Sequence, residues 1–523
     1  MLFSPNPLSP LMVSTYLAVA ELVLVVFVLA LLVRFVRSKP TARLPPGPRG
    51  FPFIGNLLDM PTEQEWFTFA RWGETWGDIC SVTVLGQPLI ILNSAKAAFE
   101  MLDKKSAIYS DRPALQMGGE LVGWKNTLVL LPYGERFRRY RRLFHQLIGS
   151  HSAMSRFLPV EEQEIHRFVR HVLAKPEDLS SHIRRSVGAV ILKIAYGYEV
   201  KQNNDPFIEL AEKATEQFSL ATAPGGHLVD LIPALKHVPM WFPGAAFRRT
   251  ADAWSRTLFQ MVEQPFSFVK NQMMAGVAPV SFTSVMLSKE ISSQDEFDLK
   301  WSAASLYSGE FPVPPTLRFP PSMLSSSLWT MNPAVAKKAQ TELDAVVGTD
   351  RLPSFADREH LPYINALTKE VFRWNSVVPT AVPHRAVQND IHDGHMIPKG
   401  SLVIPNIWKM THDPRTYKNP MEFNPDRFLQ AGERLPEPDP KDLCFGFGRR
   451  TCPGSHLADS TVFIMCATAL AVFDVSKYVV NGIVIEPVHE NTTGTISHPK
   501  PFKCVIKPRS EKAVGVIQGE ERK

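Results

Sequence analysis

The chain has 523 residues, 45% of them hydrophobic and 21% charged, so it can bury a large core and is neither a disordered nor a low-complexity polymer. Lys and Arg outnumber Asp and Glu by 57 to 51, a net charge of +6 spread along the chain, which without a recognition motif argues against a nucleic-acid partner. Five cysteines, Cys80, Cys444, Cys452, Cys466 and Cys504, are too few and too scattered for a disulfide framework and form no C-x-x-C pair, so any cysteine with a special task acts singly.

In chain order, residues 1–10 precede an apolar run at 11–33 (LMVSTYLAVAELVLVVFVLALLV) interrupted only by Ser14, Thr15 and Glu21. It exceeds the roughly 20 residues a helix needs to cross a bilayer. No Lys or Arg precedes it, whereas Arg34, Arg37, Lys39 and Arg43 follow it, so we expect a signal anchor with residues 1–10 in the lumen and the remainder cytosolic. A cleaved secretory signal has a shorter apolar core and a basic leader. Residues 34–50 are basic and proline-rich; Leu44-Pro45-Pro46-Gly47-Pro48-Arg49-Gly50 reads as a stiff, extended spacer before a body that occupies 51–523.

No period of 20 to 50 residues recurs in the body, which excludes repeat architectures. Apolar periodicity predicts helices over 134–149, 160–174, 186–196, 331–347 and 362–374, the last opened by Pro362. Runs rich in β-formers at 79–92 around Gly86 and at 402–407 predict a small sheet. The stretch 410–441, rich in Pro, Asp and Asn, predicts a long ordered loop. The expected fold class is mainly α with a small β-rich part.

The strongest local signal is Phe445-Gly446-Phe447-Gly448-Arg449-Arg450-Thr451-Cys452-Pro453-Gly454, ahead of an apolar helical run from His456 to Phe473. Glycines let the backbone approach a flat ligand closely, and backbone amides near a thiol steady its thiolate. A thiol at a helix entrance is also more easily deprotonated, and a thiolate can ligate haem iron. A lone cysteine between glycines is ordinarily a buried, inert side chain. Here, however, Phe445, Gly448, Arg450, Cys452 and Gly454 stand at the spacing F-x-x-G-x-R-x-C-x-G, which resembles the haem-binding signature of the cytochrome P450 haem-thiolate monooxygenases.

The resemblance extends along nearly the whole chain and implies the cytochrome P450 fold preceded by one transmembrane helix. Glu370 and Arg373 form E-x-x-R on a predicted helix, and with Pro425-Asp426-Arg427-Phe428 they resemble the family's buried Glu-Arg-Arg network, which implies a structural role for Glu370, Arg373 and Arg427. Arg138 and Arg141 resemble the family's W-R-x-x-R segment, which faces the haem propionates, although Phe137 stands in place of Trp. Arg136, Arg139 and Arg142 read as a solvated basic face that helps dock an acidic redox partner. Pro383-His384-Arg385 resembles a segment in which Arg385 or His384 reaches a propionate. The C-terminal run from Ser497 to Cys504 is similar to that of microsomal-type fungal members acting in secondary metabolism. The resemblance implies haem b with Cys452 as the axial iron ligand, and Arg138, Arg141, Arg385, Phe445, Gly448, Arg450 and Gly454 about the cofactor.

The family also carries an acid-alcohol motif like A/G-G-x-D/E-T-T on a long helix, where it arranges proton delivery. Trp301 to Gly309 (WSAASLYSG) resembles the approach to it, but Pro312, Pro314, Pro315, Pro320 and Pro321 follow, and interior prolines cost a helix about 3 kcal/mol each. No catalytic residue is therefore assignable. Codons exist for this stretch that, read one nucleotide earlier, encode Gly-Ala-Pro-Asp-Thr-Thr-Val-Ser-Ala-Ile over Val313 onward, so we expect 312–329 to be out of frame, with the printed frame resuming at Thr330.

The resemblance implies a monooxygenase of the endoplasmic reticulum membrane, single-pass with its catalytic domain cytosolic. It would insert one oxygen atom from O2 into a hydrophobic small molecule: a terpenoid, polyketide, sterol or aromatic compound. Electrons would come from NADPH through NADPH–cytochrome P450 reductase, with cytochrome b5 as a further partner, and the anchor makes membrane lipid another. Family position places the pocket at Ala107 to Trp124, Phe218 to Leu228, Val377 to Val382 and Gly494 to Ile496. The missing motif leaves a rival, a haem-thiolate isomerase or dehydratase or an impaired haem protein. A helical scaffold with a merely buried Cys452 is the non-enzymatic alternative.

Overall fold

A computed structural model of the chain describes residues 43–202, 204–223, 226–309, 332–486, 490–497, 500 and 503–519. The expected anchor at 11–33 and the segment 312–329 lie outside the described residues. Helix α1 (Glu65–Trp76) leads into strands β1 (Ile79–Val84) and β2 (Gln87–Leu92). Helices α2 (Glu135–Ile148), α3 (Leu158–Ala174), α4 (Leu179–Tyr196), α5 (Pro206–Ala221), α6 (Ala246–Met274) and α7 (Ser293–Gly309) follow. Beyond residue 332 come α8 (Pro333–Val346), α9 (Pro362–Trp374) and the short strands β3 (His384–Arg385), β4 (Asp390–His392), β5 (His395–Ile397) and β6 (Leu402–Pro405). The chain then runs through α10 (Ser455–Val472), β7 (Phe473–Val480), β8 (Ile483–Ile485), β9 (Cys504–Pro508) and α11 (Glu511–Gly519). The architecture is mainly helical with small sheets.

The helices form where apolar side chains recur every third or fourth residue. In α2 the buried positions are Phe137, Tyr140, Phe144, Leu147 and Ile148, one face of a 3.6-residue period. Helix α4 starts at Leu179 rather than 186: Leu179 and Ile183 carry the buried stripe back by two turns, hidden in the sequence by the polar residues between them. The expected strand at 402–407 ends at Pro405, because Asn406 caps a helical turn (Ile407–Thr411) by accepting the Lys409 amide at 3.2 Å.

Strands β1 and β2 are antiparallel around Leu85 and Gly86, both with positive φ, the geometry of a tight hairpin. The sheet order β1-β2-β6-β3 brings β6 parallel to β2 and β3 antiparallel to β6, so segments some 300 residues apart share one sheet. β4 and β5 form a hairpin, and β8-β7-β9 a third sheet.

The core has two large parts. One gathers Phe137 and Phe144 of α2, Ile191 of α4, Phe218 of α5 and Trp301 of α7. The other gathers Phe168 of α3, Leu367 of α9 and Phe463 of α10. Helix α10 is buried on nearly every side, which explains its continuous apolar run. It is the one helix among the described residues long and apolar enough to cross a membrane, and 78% of it is buried inside the protein, as befits a core helix.

The end of the proline-rich segment is extended but is no free spacer. Ser81 of β1 donates its hydroxyl to Pro45 O at 2.5 Å and its amide to Pro46 O at 2.9 Å, and Asn56 Nδ2 donates to Pro48 O at 3.1 Å. Prolines leave their carbonyls open to such donors, so residues 45–48 dock on the sheet and the folded body begins before residue 50.

Candidate active site

The cysteine loop is held by its own backbone. Cys452 N donates to Phe445 O at 2.7 Å, and Thr451 Oγ1 to Gly448 O at 2.9 Å. Gly448 sits at φ 54°, and a Cβ there would come within 2.4 Å of Leu102 O, so only glycine fits. Gly454 caps α10, which places Cys452 just ahead of a helix N-terminus. Cys444 Sγ donates to Phe372 O at 3.3 Å, and the Phe372 and Phe445 rings meet edge to face at 5.3 Å, tying the loop to α9.

Cys452 is solvent-accessible yet faces an internal cavity of about 420 Å3. Apolar walls come from Phe137 and Phe144 of α2, Leu306 of α7, Val377 and Val382 after α9, and Val462 of α10. Against them stands a cationic edge: Arg112, Arg141, Arg450 and His384 also line the cavity. Arg112 donates to Val129 O, Val382 O and Pro383 O at 2.5–3.2 Å. Arg450 donates to Ser110 O at 2.6 Å and Leu131 O at 2.8 Å, with its guanidinium carbon 4.0 Å from the Phe137 ring centre. Arg141 Nη1 reaches Thr451 O at 2.5 Å.

These cations are poorly compensated. Burial, and then the Arg450 charge, pull the Arg112 guanidinium well below its ordinary range against the opposing pull of Asp111. Burial brings Arg450 down to about 10. Burial and then Arg112 lower the His384 imidazole, so it is neutral, with Nδ1 2.7 Å from Tyr109 O. Burial lowers Arg141, opposed by negative charge on the Cys452 sulfur. Asp111 is itself held by Arg385 at 2.5 and 3.0 Å. A flat apolar ring with carboxylates at one edge and a soft-ligand metal at its centre fits this donor set: thiol for the metal, guanidinium for carboxylate, apolar faces for the ring.

The structure divides the expected site residues. Cys452, Arg141, Phe445, Arg450 and Gly454 line the cavity. Gly448 stands just behind it against Leu102. Arg138 does not line it: this residue is exposed, its guanidinium carbon 6.0 Å from the Tyr133 ring centre. Arg385 pairs with Asp111 and leaves the lining position to His384, since neighbours on a strand point to opposite faces. Arg136 and Arg139 are not a solvated face. They pair with Asp298 of α7 at 2.8 and 3.0 Å, and Arg139 also with Asp295 at 2.7 Å. Arg142 is exposed.

Glu370 and Arg373 are fully buried, with Arg373 Nε 2.7 Å from Glu370 Oε2 and Nη2 2.8 Å from Oε1. Arg427 Nε lies 3.2 Å from the same carboxylate, and its Nη1 2.7 Å from Glu437. Arg373 also donates to Thr411 O, Pro420 O and Glu422 O, so this network pins the loop region after residue 410 to α9.

Arg112 fell within the expected pocket segment Ala107 to Trp124 but was not singled out as a cofactor contact; its only local signal was an arginine between Asp111 and Pro113. Of the expected pocket segments, Ala107 to Trp124 supplies Arg112 and Trp124, Val377 to Val382 supplies Val377, Val378, Ala381 and Val382, Gly494 to Ile496 supplies Thr495 and Ile496, and Phe218 to Leu228 supplies Phe218 alone. Thr127–Val129, Thr215 and Ser305 were unexpected.

A family model described as Cytochrome P450 matches residues 45–307 and 324–505 and is interrupted between them. Cytochrome P450 monooxygenase 208 of Postia placenta is 51% identical over 94% of this chain and 96% of its own length. Cytochrome P450 monooxygenase claR of Ampulloclitocybe clavipes is 45% identical over 91% and 88%, and cytochrome P450 monooxygenase ppsD of Aspergillus oryzae 41% over 91% and 90%. With a thiol, a cationic edge and apolar walls around one cavity, and with these relatives, the chain belongs to the cytochrome P450 family as an oxidoreductase of the monooxygenase type.

Proposed function

We propose that this chain holds haem b through the Cys452 thiolate and inserts one oxygen atom from O2 into a hydrophobic small molecule, with electrons from NADPH through a separate reductase. The single observation that carries the reading is an accessible thiol inside an apolar cavity edged by Arg112, Arg141 and Arg450. When bound, the haem supplies an iron that activates dioxygen, its electronics tuned by the sulfur ligand. The protein's share is binding, orientation and exclusion of water. Arg112, Arg141 and Arg450 would meet the carboxylate edge, Gly446 lines the cavity from the loop, and Leu306, Val377, Val382 and Ile496 keep its walls apolar. Thr215 Oγ1, buried and without a hydrogen-bond partner, lines the same space, which favours substrates of terpenoid, polyketide, sterol or aromatic type that carry a hydroxyl or carbonyl.

Reduced, carbon-monoxide-treated protein is expected to show the thiolate-haem absorption band, and C452A to lose it; an unchanged band in C452A would overturn the assignment.

A second reading, a haem protein impaired in oxygen activation or an isomerase or dehydratase, is favoured by the interrupted family match between residues 307 and 324, where the prolines fall. Sequencing the transcript across codons 305 to 335 separates the two. A chain with the frame restored is expected to couple NADPH consumption to product, and the printed chain to waste it. Tight coupling in the printed chain would remove the second reading.

Placement at the endoplasmic reticulum, with cytochrome b5 as a further partner, belongs to the same proposal. Leu58 is 71% exposed and Leu228 67%, while their neighbours Leu57 and Leu231 pack on one cluster, so exposed apolar side chains flank that cluster and support contact with lipid.

A further inference from the structure

We propose that Glu100, His392 and Asp393 form a binding site for a divalent metal ion of the zinc type, at the joint between the β4–β5 hairpin and the helical segment Phe99–Lys104. One donor atom from each residue lies within 4.8 Å of the others. His392 Nε2 stands 3.7 Å from Glu100 Oε2 and 3.7 Å from Asp393 Oδ2, too far for a hydrogen bond. Around a tetrahedral zinc with bonds of about 2.0–2.1 Å, neighbouring donor atoms sit about 3.3 Å apart, so each imidazole–carboxylate distance needs to close by only a few tenths of an ångström to share one ion.

The second observation is the imidazole itself. His392 is 7% exposed, and its Nε2 is buried with no hydrogen-bond partner, aimed at the two carboxylates. A buried ring nitrogen left without a hydrogen bond calls for a partner, and a metal ion held between it and the two carboxylates supplies one to all three groups. Imidazole with carboxylates suits zinc, whereas magnesium and calcium prefer oxygen alone. Asp393, its side chain 71% exposed, leaves the ion a route from solvent, and water completes the coordination.

The neighbouring cation does not fill the place. Lys105 Nζ is committed to Asp390 at 2.7 Å and Ile391 O at 3.1 Å. Across the strand pair His392 faces His395, the remaining titratable neighbour on the hairpin besides Asp390 and Asp393. An ion here adds a second tie to one already present: Asp390 of β4 also accepts from Tyr109 at 2.8 Å, on the segment that ends in Arg112. The site thus braces the hairpin against the segment carrying part of the cationic edge.

The test uses the full-length holoprotein in detergent, freed of loose metal by a chelator and titrated with zinc chloride. Equilibrium dialysis with metal quantification is expected to find one ion per chain at micromolar zinc, with affinity about 10–100-fold weaker in H392Q and in E100Q and unchanged in H182Q, at the separate His171–His182 pair. Zinc is expected to raise the thermal midpoint of the wild type and not of H392Q, and an intact haem absorption band in each variant shows that it has folded. Equal zinc binding by wild type and H392Q, no uptake at micromolar zinc, or displacement of zinc by equimolar magnesium would each overturn the proposal.

Discussion

At the scale of single residues, Arg112 shows why a site is only partly legible in a sequence. It carries no local period, and its position is defined by Val382 O and Pro383 O, which arrive 270 and 271 residues later. Replacing Arg112 or Arg450 with alanine is expected to lower the haem content of purified protein severalfold, measured as haem per polypeptide, whereas R138A is expected to leave it unchanged. Acid sensitivity has its own residue. Burial, then Arg185 and His182, bring the His171 imidazole down to about 4, from about 6.5 in an unfolded chain. Between those values the unfolded state binds a proton that the folded state refuses, so stability falls as pH drops through that window. Denaturation midpoints at pH 7.5, 6 and 5 are expected to show this slope, and H171Q to flatten it. Asp357, held at about 2 chiefly by Arg351, acts only below this range: its stabilisation is lost as pH falls from about 3.8 toward 2.

At the scale of elements, charge pairs join what periodicity separates. Glu370 and Arg373 were readable as neighbours one turn apart, but Arg427 joins them from 57 residues away, which spacing alone could not reveal. E370Q leaves two buried guanidiniums short of a carboxylate and is expected to cost about 3–5 kcal/mol, read as a shifted urea midpoint. The charged stripe on α2 misled for a similar reason. Arg136 and Arg139 look solvated until α7 delivers Asp298, which is nearly buried. D298N is expected to cost about 1–3 kcal/mol in the same measurement, while R142A stays near wild type. Helices with one strongly apolar face were legible to within a few residues. Polar side chains masked the first turns of α4, and the strand pairings across the molecule left no local trace.

At the scale of the whole molecule, the exposed apolar surface bears on attachment to lipid. Trp241 is 80% exposed and Phe242 49%, in the connection between α5 and α6. A chain beginning at residue 43 is expected to remain partly in the lipid fraction on flotation with phospholipid vesicles, and W241S combined with F242S to move it to the aqueous fraction. The overall class of fold was legible because apolar periodicity marked many helices and only short runs marked strands, while the F-x-x-G-x-R-x-C-x-G spacing carried the resemblance to a family. The docking of Pro45 and Pro46 on Ser81 was not, because it depends on a strand that only the sheet defines.

The self-repelling lining formed by Arg112, Arg141 and Arg450 has a consequence for the life of the polypeptide. A negatively charged ligand there relieves that repulsion, so binding it is expected to stabilise the folded chain. Cells short of iron or porphyrin precursors are then expected to clear newly made chains by proteolysis, and abundance to follow pigment supply rather than message level.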